Sequence, residues 1–281
     1  MDHHNDRNSN DFVDIHCHLL PDLDDGAENW QQMLEMARIA VRESIRTIIA
    51  TPHQLGSHGQ NHGELIRQRT QAVQRRLDQE NIDLHVYPGA DVRIEESLIE
   101  ELLSGNVLTL ADQGKHVLLE LPHEIYFPLE PVLDALSSIG LTGILSHPER
   151  NQGLLHYREP VGTLVEKGCL MQITAGSLMG NFGKSSQEFA EWMITHGLVH
   201  LVATDAHGHK SRRPLMRQPF QRIVELSDEE TGWNLCSHNG ARICLGQTVQ
   251  ARTPSVEPQR REGWFGQNRK RRRAYTFGSP R

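Results

Sequence analysis

Short apolar runs alternate with longer amphipathic segments along this chain. Seven runs of five to seven residues, rich in Val, Ile, Leu and Thr, have the length and composition of buried strands. They span residues 12–16, 47–52, 85–91, 116–121, 143–147, 170–174 and 199–205. The segments between them have helical periodicity, and the predicted helices cover residues 28–43, 64–80, 128–138, 159–167, 186–196 and 214–226. Strands that alternate with helices indicate repeated βα units and a parallel sheet.

The number of βα units favours one closed α/β domain. Seven or eight such units most simply form a barrel, and a chain of 281 residues has the usual size of one. We predict a single catalytic domain over residues 12–250, preceded by a polar extension at residues 1–11 and followed by a tail at residues 251–281. No stretch approaches the roughly 20 apolar residues that a membrane span requires, so we expect a cytoplasmic protein without membrane insertion.

Charge is divided unevenly between the domain and the tail. The chain carries a net charge of -7, whereas residues 252–281 contain nine Lys or Arg against Glu257 and Glu262, which amounts to +7 and leaves -14 for the rest. The tail has no apolar periodicity, which is typical of a disordered segment, and we do not expect it to bind nucleic acid. The four cysteines include no CxxC pair, so we expect reduced thiols rather than disulfides or a thiolate zinc site.

Acids and imidazoles end or follow most of the predicted strands. These residues are His16, His18, His53, Asp91, Glu120, His147, Asp205 and His207. The carboxyl ends of the strands meet at one end of a barrel, where active sites lie. A structural protein would need a separate buried partner for each of these groups. A shared metal site explains all of them together.

Two pairs within this set have a spacing suited to a metal. His16 and His18 lie on the same face of an extended strand because side chains repeat every two residues there, and Asp205 and His207 have the same spacing. Histidine and carboxylate are ligands of Mn, Fe and Zn. One such pair is a weak signal, whereas two pairs together with the motifs GAD, LLEL and SHPER form a specific pattern.

The same residues carry a resemblance to a known family. The series DIHCHLLPDLDDGA, TPH, PGAD, LLEL, SHPER and TDAH resembles the PHP (polymerase and histidinol phosphatase) phosphoesterases over about residues 12–247. DDG, HPER and the RRP after TDAH are typical of the bacterial protein-tyrosine phosphatases of capsule and exopolysaccharide operons. Where that family usually has GAE, this chain has Asp91, one methylene shorter. The resemblance implies a distorted seven-stranded (β/α)7 TIM-like barrel.

The resemblance also implies three divalent metal ions, most often manganese, with iron or zinc as alternatives. The family's ligands for the first metal match His16, His18, Asp91 and Asp205. Asp91 would bridge this metal to a second one, held by Glu120 and His147. The third metal would be held by Asp25, His53 and His207.

Activity and partners follow from the same resemblance. Arg150 of HPER and Arg213 of RRP match the family's phosphate-binding arginines, since a guanidinium group meets phosphate oxygens bidentately. The expected reaction is attack on phosphorus by metal-activated hydroxide, with His207 or Asp25 as the candidate proton donor to the leaving group. The expected substrate is phosphotyrosine on a protein, in particular the Tyr-rich tail of a membrane-associated autokinase, and the enzyme could act as an oligomer.

Three alternatives remain open. The chain could be a PHP phosphatase of a small molecule such as histidinol phosphate, or a metal-holding regulatory module without turnover. It could also be a cysteine-dependent phosphatase, since Cys236 and Arg242 have the C-x5-R spacing in which a thiolate attacks phosphorus. No His precedes Cys236 and Gly240 is misplaced by one position, which disfavours this alternative. Sensitivity to a chelator separates the metal mechanism from the cysteine mechanism.

Overall fold

The computed structural model describes residues 11–249. The predicted polar extension, apart from Asp11, and the predicted basic tail lie outside the described residues. Within residues 11–249, no helix combines the length and the apolar character needed to cross a membrane.

Nine strands in this range form two parallel sheets. The first sheet has the order β1-β2-β4 and the second has the order β3-β5-β6-β7-β8-β9. The strands are β1 (Phe12–Cys17), β2 (Ile45–Ala50), β3 (His53–Gln54), β4 (His85–Pro88), β5 (Asp91–Arg93), β6 (His116–Glu120), β7 (Thr142–Ser146), β8 (Leu170–Thr174) and β9 (Leu201–Ala203). The predicted α/β fold with parallel strands is confirmed.

The predicted closed barrel of seven strands is not confirmed. The predicted strand 47–52 corresponds to β2, which ends at Ala50 and is followed by the separate strand β3, and the predicted strand 85–91 is divided between β4 and β5. Pro52 lacks the backbone N–H that would continue the first ladder. At the second break a Cβ on Gly89 would come within 2.7 Å of Ile49, so the chain approaches its neighbour too closely for a side chain. β1 and β9 are joined by an isolated parallel bridge between Cys17 and Ala206, and the two sheets remain open.

The helices up to residue 195 connect successive parallel strands, and the remaining ones follow β9. Six of them correspond to the predicted helices: α1 (Trp30–Arg42), α2 (Gly63–Gln79), α4 (Glu130–Ser138), α6 (Glu159–Glu166), α8 (Lys184–Thr195) and α9 (Arg217–Leu226). The sequence did not predict five shorter helices, α3 (Leu98–Ser104), α5 (Gln152–His156), α7 (Ala175–Leu178), α10 (Glu229–Trp233) and α11 (Asn239–Cys244). A π-helical segment, Asn234–His238, joins α10 to α11. Short 3₁₀ turns occupy Leu110–Asp112 and Pro148–Arg150.

The apolar core has two parts. The larger part packs helices against the sheets and includes Leu34 of α1, Leu119 of β6 and Phe189 of α8. The smaller part draws on one face of the strands, with Val13, Ile15, Ile49, Leu118, Ile144, Leu170 and Leu201. Ile243 of α11 covers this smaller cluster. The strands are therefore buried on both faces, which explains their nearly continuous apolar composition.

Candidate metal centre

The HxH pair lies where the pairing of β1 is irregular. The register between β1 and β2 shifts between Asp14 and Cys17, and irregularities of this kind redirect side chains at the rim of a sheet. His16 and His18 are both fully buried, and their Nε2 atoms are 3.2 Å apart. The two-residue spacing therefore brings both rings to one point, as the sequence predicted.

A second layer of side chains fixes the orientation of both rings. Nδ1 of His16 lies 2.9 Å from Oε1 of Gln172, and Nδ1 of His18 lies 2.7 Å from Oδ2 of Asp24. Because these oxygens accept the Nδ1 proton, each ring presents a lone pair at Nε2 when it is in its neutral form. Two lone pairs at this separation repel each other unless a cation lies between them. The HxH pair therefore has the donor chemistry of a metal site.

Two buried carboxylates face the same nitrogens. Oδ1 of Asp205 lies 3.3 Å from Nε2 of His16 and 3.5 Å from Nε2 of His18. Oδ2 of Asp91 lies 3.6 Å from Nε2 of His16 and 3.4 Å from Nδ1 of His53. Neither oxygen of Asp91 has a hydrogen-bond donor among residues 11–249, although the side chain is fully buried. A buried carboxylate without hydrogen bonds fits a metal ligand, because burying it unpaired would be costly.

Further ligands extend the centre on both sides. Oδ1 of Asp25 lies 3.3 Å from Nε2 of His207 and 3.5 Å from Nε2 of His53. Nδ1 of His53 lies 3.6 Å from Oε2 of Glu120. The possible ligand atoms form three groups, and within each group all atoms lie within 4.8 Å of one another. The groups are His18 with Asp25, His53 and His207; His16 with His18 and Asp91; and His53 with Asp91 and Glu120. Their overlap forms one continuous centre.

This grouping differs in part from the one that the resemblance implies. Seven of the nine predicted ligands belong to the three groups, and Asp205 adjoins the HxH pair. His18 lies with the ligands predicted for the third metal as well as with those predicted for the first. His53, predicted for the third metal, also lies in the group that contains Glu120. His147 is at the edge, with its Nε2 3.9 Å from Oε1 of Glu120. The structure thus brings the predicted residues together, while the division among individual ions stays a prediction.

The backbone adopts sparsely populated conformations at the centre. His147 has φ of +35°, Asp205 has φ of +50° and Arg212 has φ of +45°, all in the left-handed region that favours glycine. Non-glycine residues are held there only when their surroundings determine the conformation strongly, and such positions cluster at active sites. These three residues lie directly after strands or in the following loop, where their side chains can turn back toward the centre.

Burial and charge act in opposite directions on the acids. Burial alone would raise the pKa of Asp91, but the nearby imidazoles of His16 and His53 hold it below its usual range. Burial alone would also raise the pKa of Asp24, but the charge of His18 and its hydrogen bond lower that pKa to about 2. Glu120 shifts the other way, since burial and the negative charge of Asp91 raise its pKa to about 7. The pKa values of Asp91 and Asp24 are therefore held down, whereas that of Glu120 is raised.

Two arginines contact Asp205 at the border of the centre, and only one of them was predicted. Arg150, in the HPER turn, forms an ion pair with Asp205. Nη2 of Arg212 lies 2.6 Å from Oδ2 of the same carboxylate. Nε of each arginine is buried and has no acceptor within the described part of the chain, so each keeps a donor for an anion. Arg213, the predicted second arginine, is exposed and makes no ion pair with residues 11–249.

Three functional neighbours were missed by sequence reasoning. Arg212 is next to the predicted Arg213, and Asp24 is next to the predicted Asp25. Each motif therefore indicated a functional residue but did not show which of the two adjacent residues it was. Gln172 on β8 had no local signal, because its partner His16 is 156 positions away in the chain.

The geometry disfavours Cys236 as a nucleophile. Cys236 is fully buried in the π-helical segment, and burial raises the pKa of its thiol well above its usual value. A thiolate nucleophile needs the opposite shift and access to the substrate. Arg242, its predicted partner, is exposed on α11.

Histidine and carboxylate side chains lie together at the ends of parallel strands, and arginines border them. This arrangement is typical of proteins that carry out metal-dependent chemistry on anions. Residues 12–245 match the family model of capsular polysaccharide synthesis, CpsB/CapC, and the chain belongs to this family. Tyrosine-protein phosphatase YwqE of Bacillus subtilis is 36% identical over 257 residues, which cover 91% of this chain and 99% of that protein. Tyrosine-protein phosphatase CpsB of Streptococcus pneumoniae is 26% identical over 244 residues, covering 85% and 100% respectively.

A solved structure agrees with these relatives. It comes from the crystal structures of YwqE from Bacillus subtilis and CpsB from Streptococcus pneumoniae, described as unique metal-dependent tyrosine phosphatases. It superimposes with a TM-score of 0.83 at 35% identity and covers 86% of this chain and 98% of that one. The predicted membership in the capsule-type branch is therefore confirmed.

Proposed function

We propose that this protein is a metal-dependent phosphatase that hydrolyses phosphotyrosine on proteins. The observation that carries the proposal is the continuous His, Asp and Glu centre with Arg150 and Arg212 at its border. A binding module would not need arginines with unused donors beside a complete set of metal ligands. The names of the relatives, both tyrosine-protein phosphatases, support the same reaction.

The proposed cofactor is a set of three divalent cations, with manganese preferred and iron or zinc as alternatives. The proposed ligands are those of the sequence prediction: His16, His18, Asp25, His53, Asp91, Glu120, His147, Asp205 and His207. When bound, such cations lower the pKa of water, so that a hydroxide nucleophile is available near neutral pH, and they offset charge on the phosphoryl oxygens.

The side chains of the protein are proposed to bind and orient the phosphate group and to protonate the leaving group. Arg150 and Arg212 are proposed to donate hydrogen bonds to phosphate oxygens, since planar bidentate bonding by a guanidinium group adds to the charge attraction. The proposed proton donor to the leaving phenolate is His207 or Asp25, whose Nε2 and Oδ1 atoms lie 3.3 Å apart, and either group can donate a proton only through an atom that holds no metal ion. The phosphate-binding role predicted for Arg213 stays a prediction.

The proposed substrate is the Tyr-rich tail of a membrane-associated autokinase that governs capsule or exopolysaccharide export. Membership in the capsular polysaccharide synthesis family supports this choice over a small ester such as histidinol phosphate. A cytoplasmic location fits the same assignment, because all four cysteines are free, as expected in a reducing compartment.

Parallel assays on a phosphotyrosine peptide and on histidinol phosphate test the proposal. We expect the purified protein with Mn²⁺ to prefer the peptide, and we expect a chelator to abolish turnover. Cys236→Ser serves as the matched control, since its thiol is buried away from the centre and its loss should leave turnover intact. A preference for histidinol phosphate would overturn the substrate, and turnover that survives metal removal would overturn the mechanism.

A further inference from the structure

A second cavity adjoins the metal centre at Arg212. This outer cavity has a volume of about 550 Å³ and is lined by the end of β9 and by two loops. The loop after α7 contributes Met179 and Phe182, and the loop after β9 contributes Lys210, Arg213 and Leu215. Because Arg212 lines the outer cavity and also contacts Asp205, the cavity lies next to the metal centre.

The lining of the outer cavity is basic and contains no acid. Three of its twelve lining residues are Lys210, Arg212 and Arg213, and none is Asp or Glu. Arg212 is paired with Asp205, whereas Lys210 and Arg213 make no ion pair within residues 11–249. Outside the lining, Glu35 lies 3.0 Å from Nε2 of His209, and Lys210 is also among its charged neighbours. The lining itself carries positive charge that no acid of the lining offsets.

An aromatic wall connects this basic lining to the metal centre. The guanidinium carbon of Arg150 lies 4.2 Å from the ring centroid of Phe182, and that of Arg212 lies 5.9 Å from the same centroid. Cation–π contacts of this kind hold guanidinium groups in place. Met179 is 36% exposed beside the ring and adds apolar surface. The cavity thus offers an apolar wall to a substrate peptide that extends from the centre, and it offers cations to the side chains of that peptide.

We propose that the outer cavity binds the residues that flank the phosphotyrosine and selects acidic ones. The inference rests on the proposed function and adds a sequence preference to it. An Asp or Glu near the phosphotyrosine would meet Lys210 and Arg213, while a Lys or Arg there would be repelled. Charge complementarity between a cavity and its ligand chiefly sets specificity and the rate of encounter.

Charge reversal at Lys210 tests the proposal. Two phosphotyrosine peptides that differ only in flanking Glu or Lys residues are compared with free phosphotyrosine, using the full chain loaded with Mn²⁺. We expect the wild-type protein to favour the acidic peptide by about fivefold or more in kcat/KM, mainly through KM. Lys210→Glu should abolish or invert this preference and leave free phosphotyrosine turnover unchanged. Lys115→Glu, which changes a cation just before β6, should keep the preference.

Binding of the same peptides, labelled with a fluorophore, is measured alongside turnover. Equal treatment of both peptides by the wild-type protein, or an unchanged preference in Lys210→Glu, would overturn the outer-cavity proposal. If no phosphotyrosine is hydrolysed but acidic peptides still bind better and lose this advantage in Lys210→Glu, the proposed reaction fails and the cavity assignment stands.

Discussion

Replacing Asp91 with alanine distinguishes a metal ligand from a structural acid. Both carboxylate oxygens of Asp91 are buried without hydrogen bonds among residues 11–249, and the nearest imidazole nitrogens are 3.4 and 3.6 Å away. Burial raises the pKa of Asp91, but the imidazoles of His16 and His53 outweigh this effect and hold the pKa below its usual range, so the buried charge stabilises the folded state. Without metal, we therefore expect Asp91→Ala to unfold with a lower free energy than the wild type, by about 3–5 kcal/mol at most, because the imidazoles lose their carboxylate partner.

Metal should widen this difference. With Mn²⁺ at 100 times its dissociation constant, the free energy of unfolding of the wild type should rise by about 2.7 kcal/mol. Loss of a ligand should weaken binding by about 100-fold or more, so the same Mn²⁺ concentration should stabilise Asp91→Ala by about 0.4 kcal/mol at most. Urea denaturation with and without Mn²⁺, combined with analysis of metal content, measures both values.

Glu149 provides the matched control because it is a buried acid with a structural environment. Its Oε1 accepts hydrogen bonds from the Thr174 N–H at 2.9 Å and from the Ser177 hydroxyl at 2.7 Å. Glu149→Ala leaves both donors unsatisfied, so it should lose about 2–4 kcal/mol of stability equally with and without metal. If Asp91→Ala retains the full stabilisation by Mn²⁺ and a normal metal content, Asp91 is not a ligand and the reasoning fails.

Three further predictions concern other parts of the chain. Cys236→Ser should keep nearly full activity, because its thiol is buried with a raised pKa; a folded, metal-loaded but inactive variant would refute this. Arg212→Ala should weaken inhibition by inorganic phosphate by about 1.5–3 kcal/mol and Arg213→Ala by less than about 1 kcal/mol; equal losses would restore the sequence-based assignment. Burial lowers the pKa of His200 to about 4, so the folded state takes up a proton less readily than the unfolded state. The stability that is present above the unfolded pKa of about 6.5 is therefore lost as the pH falls toward 4. Between these pH values the loss should reach about 3 kcal/mol, and urea titrations of His200→Asn should show a shallower pH dependence.

Regular elements were predictable where the pattern was long enough to show a period. β8 was predicted at its observed bounds, and the six longer helices were all found. The five helices that were missed contain four to seven residues, which is too short for a 3.6-residue period to appear. The break between β4 and β5 was missed although Pro88 and Gly89 lie at it, and β3 was missed because two residues are too few to show a period.

The sequence by itself determined which residue types stand at the carboxyl ends of the strands, because side-chain direction in a strand follows a local period of two. Only the tertiary structure decided which of them share a site. The register that pairs His53 with Asp91 across β3 and β5 places these two side by side. The bridge between Cys17 and Ala206 places the HxH pair beside Asp205. Such contacts depend on which strands adjoin and in what register, and neither is encoded in the spacing along one strand.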